Sequence, residues 1–158
     1  MSYPFNADEI FEAAEQIERN GAKFYRDAAA KVAEEAHKKL LNHLAEMEDD
    51  HEKTFKAMRS ELSDKEKALT AFDPEGETAA YLRALADTRI FYKKDIDLSS
   101  MKEILKAAIT AEKDSIVFYL GMKDVVPEKL GKGKLDGIIK EEMDHIRQLS
   151  QELLALPK

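Results

Sequence analysis

The sequence predicts an all-α protein, a four-helix bundle of two antiparallel helical hairpins joined by a long crossover that carries a short extra helix. Three observations predict it. Four long segments repeat apolar residues in steps of three and four, the period of a buried helix face. Only six Gly and four Pro occur among 158 residues, which leaves room for long helices. The joins within each pair of segments are short, whereas residues 63–98 separate the pairs.

The first helix is expected from about Ala7 to Val32, with Asn6 as N-cap and Glu9 at capping-box spacing. The second runs from about Glu35 to Leu62, and the few residues near Ala33 to Glu35 make the pair antiparallel. The crossover holds a turn signal, DPEG at 73–76, then a short helix at about Thr78–Asp87, then RIFYKKDIDL at 89–98. An antiparallel neighbour needs no such length, but a segment returning along a helix of roughly 30 Å does. The third helix starts near Ser99 or Ser100, either of which can cap it with Glu103 nearby, and ends before Pro127. The fourth follows GKG at 131–133 and runs to about Leu156.

Length and composition bound the function. A chain of 158 residues fits one domain, 1–158, with its own core. Hydrophobic residues at 44% and charged residues at 36% indicate a soluble globular chain. A net charge of −7 and a pI near 5.2 argue against nucleic acid and anionic membranes as partners. The absence of cysteine excludes disulfides, thiolate metal sites, iron–sulfur clusters and a thiol nucleophile. No apolar run approaches the ~18 residues of a membrane span. The N-terminal MSYPFNADEIF has neither the basic nor the apolar region of a signal peptide, so a cytoplasmic protein is expected.

The apolar stripes are interrupted in a regular way. The first helix gives Phe11, Ala14, Glu18, Gly21, Tyr25, Ala28 and Val32; the second gives Leu41, Leu44, Glu48, His51, Phe55, Met58 and Leu62. The third gives Met101, Leu105, Ala108, Glu112, Ser115, Tyr119, Met122 and Val126. The fourth gives Leu135, Ile138, Glu142, His145, Leu149 and then Glu152 or its apolar neighbour Leu153. Each stripe holds one Glu near its middle, and two add a His three residues later. The halves repeat: IERNGAKFY (17–25) parallels AEKDSIVFY (111–119), and Glu18 to Glu48 spans thirty residues, as does Glu112 to Glu142.

Four ionised carboxylates on buried stripes would repel one another and lose their hydration, at a cost of several kcal/mol for each unpaired charge. Protonation can relieve part of this. No Lys or Arg lies on any of the four stripes, so internal salt bridges are not available. Two divalent cations would neutralise the four carboxylates, and each Glu-x-x-His turn brings both ligands to one face. Glu18, Glu48, His51, Glu112, Glu142 and His145 are therefore the candidate metal ligands. Tyr25 and Tyr119, as core aromatics, carry hydroxyls within reach of these carboxylates or of a neighbouring helix.

A lone Glu-x-x-His is common by chance. Glu34 and His37 have the spacing too, but their place off the stripe marks a surface pair. His43 is expected to be partly exposed. Glu15, Glu46, Asp49, Asp50, Glu141 and Asp144 read as solvated charges, although acids beside ligands can also orient them.

At these six residues the sequence resembles the ferritin-like di-iron carboxylate superfamily, most closely its rubrerythrin-like branch, over nearly the whole chain. The arrangement is one Glu from each of two helices and Glu-x-x-His from each of the other two. The resemblance implies two iron ions, with manganese or zinc also suited to these ligands. Glu18, Glu48 and His51 would serve one metal, and Glu112, Glu142 and His145 the other. Glu48 and Glu142 would bridge, with Glu18 and Glu112 terminal. It implies a non-haem di-iron oxidoreductase that reduces hydrogen peroxide or dioxygen, a role in oxidative stress, or one that oxidises ferrous iron. A homodimer is common in the family.

Two features depart from the rubrerythrin pattern. With no cysteine there is no rubredoxin-like iron domain, so electrons must come from an external donor, a rubredoxin-like protein or another reductase. Where rubrerythrins place a further Glu one turn after the helix-3 ligand, this chain has Ser115, with Gly21 at the equivalent of the first helix. Each metal would keep a more open position. The alternatives are an iron-handling or structural di-metal protein without turnover, and a metal-free helical interaction module.

Overall fold

The computed structural model describes residues 6–62, 77–87, 96–124, 126 and 132–157. It is all-α, as the sequence predicts. The helices are α1 (Ala7–Lys31), α2 (Glu35–Ser60), α3 (Glu77–Asp87), α4 (Met101–Met122) and α5 (Lys132–Ala155). The DPEG turn, the crossover run as far as residue 95 and positions 127–131 of the second join lie outside the described residues.

Local chemistry sets the helix ends. The Glu9 amide donates to Asn6 Oδ1 at 2.8 Å, which satisfies one of the free N–H groups of the first turn of α1. The Glu9 carboxylate accepts from Arg83 of α3 at 3.2 Å. Ser100, not Ser99, caps α4, accepting from the Glu103 amide; Ser99 is held by Asp97. α4 stops at Met122, a turn short of Val126, although Val126 is still buried.

The pairing follows from contacts between helix ends. Arg59 near the end of α2 meets Asp8 at the start of α1, so α1 and α2 are antiparallel. Lys123 after α4 meets Asp136 early in α5, so that pair is antiparallel too. Between hairpins, Tyr25 reaches Glu112 and Tyr119 reaches Glu18, an antiparallel register for α1 and α4. α2 and α4 therefore run in the same direction, and the chain from Leu62 to Met101 joins opposite ends of the bundle.

Two apolar clusters form the core. One gathers Ile10, Phe11, Phe55, Met58, Phe118, Tyr119, Leu135 and Leu82, the last from α3. The other gathers Tyr25, Leu41, Leu44, Ile104, Leu105 and Leu149, with Leu153 packed against it. α3 approaches α4 closely at Gly121, where an added Cβ would lie 3.0 Å from Leu82 Cδ2. Burying these side chains supplies the main drive for folding. No described helix is long and apolar enough to cross a membrane.

Candidate metal centre

Between the two apolar clusters lies a polar layer. Its members are Glu18, Glu48, His51, Glu112, Glu142 and His145, each 2% exposed or less, together with the small Ser115. All six candidate residues from the sequence are brought together. They form two groups of four: Glu18, Glu48, His51 and Glu142, and Glu48, Glu112, Glu142 and His145. Within each group one donor atom per residue lies within 4.8 Å of the others, close enough to hold an ion. Glu48 and Glu142 belong to both groups, and the two imidazoles stack with ring centroids 5.9 Å apart.

Both histidines turn Nδ1 toward the acids. His51 Nδ1 is 2.9 Å from Glu142, 3.4 Å from Glu18 and 3.5 Å from Glu48. His145 Nδ1 is 3.3 Å from Glu142 and 3.5 Å from Glu112. Tyr25 donates to Glu112 Oε1 and Tyr119 donates to Glu18 Oε1, each at 2.5 Å. Each tyrosine thus clamps the carboxylate of the opposite half. Burial first, and then the neighbouring carboxylates, hold both phenols well above their ordinary pKa, so both remain O–H donors.

Nine buried nitrogen and oxygen atoms of these six side chains make no well-formed hydrogen bond, among them both oxygens of Glu48 and of Glu142; the 2.9 Å approach of His51 Nδ1 to Glu142 lacks the geometry of one. Buried polar groups elsewhere in proteins are almost always paired. Left to itself, the cluster has to hold protons. Burial, and then Glu112 and its neighbours, push the Glu48 and Glu142 carboxyls well above the carboxylate range. Burial opposes charge on His51, but Glu142 and Glu18 beside the ring outweigh it and push it up to about 12. For His145 burial again opposes, and Glu112 and Glu142 push it up to about 10. Burial also disfavours an ionised Glu112, yet Glu142, His145 and Tyr25 around it bring its carboxyl down to about 2. These are coupled sites in which one positive charge, proton or metal, answers several acids.

The surrounding acids divide. Glu46 and Asp50 are exposed, and Asp49 pairs with Arg26 on the surface. Asp144 is held by Arg147 and Gln148. Two do not fit the expectation of plain solvation. Glu15 is buried, 3% exposed, because Arg59 of α2 lies over it with its Nη1 3.1 Å away. Glu141 keeps half its side chain in solvent but places Oε2 2.5 Å from His51 Nε2. Glu34 and His37 lie away from the centre, where His37 is only part-exposed and also faces Glu152. His43 is exposed. A cavity of about 630 Å³ between α2 and α5 opens onto His51 and Glu141, with Met47, Asp50, Lys134 and Ile138 on its walls.

A likeness to a solved structure covers the entire bundle. A ferritin-like diiron-carboxylate protein from Thermotoga maritima is 25% identical, over 98% of this chain and 99% of that one, with a TM-score of 0.72. The chain has the ferritin-like fold. No protein-family model and no curated protein matches the sequence. The likeness covers the helical arrangement as a whole, and this chain carries its own buried carboxylate and imidazole cluster between the two apolar clusters.

Proposed function

We propose that this protein is a non-haem di-iron oxidoreductase of the rubrerythrin-like branch. The observation that carries the reading is the set of nine buried donor atoms without a well-formed hydrogen bond, arranged in two groups that share two carboxylates. Carboxylate oxygen and imidazole nitrogen are a donor set that suits iron, and manganese or zinc as well. Glu18 and His51 would hold one ion, Glu112 and His145 the other, and Glu48 and Glu142 both.

Bound there, a pair of ferrous ions would supply two electrons, enough with two protons to take one hydrogen peroxide to two waters. The protein's part is position and access. Tyr25 and Tyr119 fix the terminal carboxylates by hydrogen bonds from the opposite half. Ser115 donates to the Ala111 carbonyl at 2.9 Å, turning back on its own helix, and Gly21 has no side chain, so neither adds an oxygen donor. The apolar clusters on either side exclude bulk water. The cavity between α2 and α5 brings open space up to His51, at the edge of the six side chains. With no cysteine in the chain, the electrons that restore the ferrous state come from an external reductant.

The test is rapid mixing of the anaerobically loaded ferrous protein with hydrogen peroxide, followed by optical absorbance. Oxidation complete within seconds is expected; no reaction over minutes would contradict the reading. The absence of cysteine, and so of a thiolate-bound iron relay within this sequence, favours a second reading, storage or delivery of iron without turnover. Sustained peroxide consumption with an added reductant separates the two.

A further inference from the structure

We propose that the two halves of the centre are inequivalent: Glu141 orients His51 so that the position beside Glu18 and His51 takes a divalent cation more tightly than the position beside Glu112 and His145. The proposal rests on the di-metal reading above and adds to it which position fills first.

The donor sets of the two positions match closely. Each has one terminal glutamate, clamped by a tyrosine from the opposite half, and each shares Glu48 and Glu142. The histidines do not match. His51 Nε2 lies 2.5 Å from Glu141 Oε2. A carboxylate at that nitrogen holds the proton there, leaves the Nδ1 lone pair facing Glu18, Glu48 and Glu142, and makes the ring a more basic ligand. His145 Nε2 is buried and has no hydrogen-bond partner among the described residues. When His145 ligates through Nδ1, its Nε2–H stays buried without an acceptor among the described residues, which weakens that position.

The sequence shows where the difference originates. The repeat aligns Glu48 with Glu142 and His51 with His145, and so aligns Met47 with Glu141. A thioether is a poor hydrogen-bond acceptor. This substitution gives the two histidines different outer partners, while Ser115 against Gly21 is a further difference between the halves that Glu141 variants leave untouched. Outer partners of metal-bound histidines typically change affinity by about 10- to 100-fold. With Glu141 half in solvent, about tenfold is expected.

Sharing two bridging carboxylates separates the binding steps in any paired site, because the second ion meets the charge of the first. Variants decide the matter. Zinc titration calorimetry on the metal-free protein should show the first constant weakened about tenfold by Glu141→Leu, and less by Glu141→Gln, which keeps an acceptor. Met47→Glu should strengthen the weaker step. In crystals grown with one equivalent of zinc, anomalous scattering at the zinc edge should be stronger beside His51 than beside His145, and should even out in Glu141→Leu. Glu141 lies on the surface, so the variant is expected to fold, and far-ultraviolet circular dichroism checks this. Equal peaks in the unaltered protein, or unchanged constants in Glu141→Leu, with two ions still bound, would overturn the inequivalence and leave the di-metal reading standing. No zinc among the six side chains would overturn both.

Discussion

The Tyr25 hydroxyl donates to Glu112 Oε1 at 2.5 Å, across 87 residues of sequence and from one hairpin to the other. Tyr119 makes the reciprocal bond to Glu18. The two hairpins are thus fastened through Glu112 and Glu18, each held by a tyrosine of the other half. Tyr25→Phe keeps the ring and removes the donor, leaving a buried oxygen without a partner. Such a loss costs about 1–3 kcal/mol. Urea unfolding of the chelated variant should show a midpoint lowered by that free energy divided by the slope, with the slope itself unchanged. An unchanged midpoint would mean that the bond is not made.

Glu48→Ala should move metal content and stability in opposite directions. Glu48 belongs to both groups of donors, so its loss should lower the occupancy of both positions in metal analysis. In the chelated protein the same change removes a buried acid surrounded by other acids, and the fold should become more stable. A variant less stable in both states would argue for a purely structural glutamate.

The arrangement of the centre was legible because a helix face is a short-range property. Steps of three and four along each helix reach Glu18, Glu48, His51, Glu112, Glu142 and His145 without knowledge of neighbours. What the steps cannot report is which helix lies opposite. Glu15 sits one turn before Glu18 and reads as solvated, yet Arg59 of α2 covers it. Glu141 points away from its own stripe but reaches His51 on another helix. The repeat shows a tyrosine seven residues after Glu18 and after Glu112; the exchange of partners between halves appears only in three dimensions. The helix ends before Pro127 as expected, but the apolar stripe outruns it: Val126 is in register and buried, four residues beyond the end of α4 at Met122.

Arg59→Met tests the Glu15 pair. Arg59 is the cation beside Glu15 and also meets Asp8. Removing it leaves the buried Glu15 carboxylate without its partner. Because the guanidinium is about one-third exposed, a cost of roughly 1–3 kcal/mol is expected rather than the larger figure for a fully buried pair. Adding Glu15→Gln should recover part of it. Thermal unfolding of the single and double variants gives the coupling.

Proton linkage gives a prediction with a definite sign. Glu48, Glu142, His51 and His145 bind protons more tightly in the folded chain than in the unfolded one. Their contribution to metal-free stability is complete below the ordinary pKa of each group and is lost as pH rises through the raised values, about 12 for His51 and about 10 for His145. Glu112 works the other way: its contribution is present above the ordinary carboxylate range and is lost as pH falls toward about 2. The chelated protein should therefore lose stability from about pH 5 to pH 9. Metal displaces the bound protons, so the gap in melting temperature between loaded and chelated protein should widen over the same range. Calorimetry in buffers of different ionisation enthalpy should detect proton release on loading. A gap independent of pH would contradict this electrostatic picture.

The most direct test of the central claim is anomalous scattering at the iron edge from crystals of the protein loaded anaerobically with ferrous iron. Two peaks are expected in the polar layer, one beside Glu18 and His51 and one beside Glu112 and His145, with Glu48 and Glu142 reaching both. Well-ordered crystals with no iron among the six side chains would contradict it.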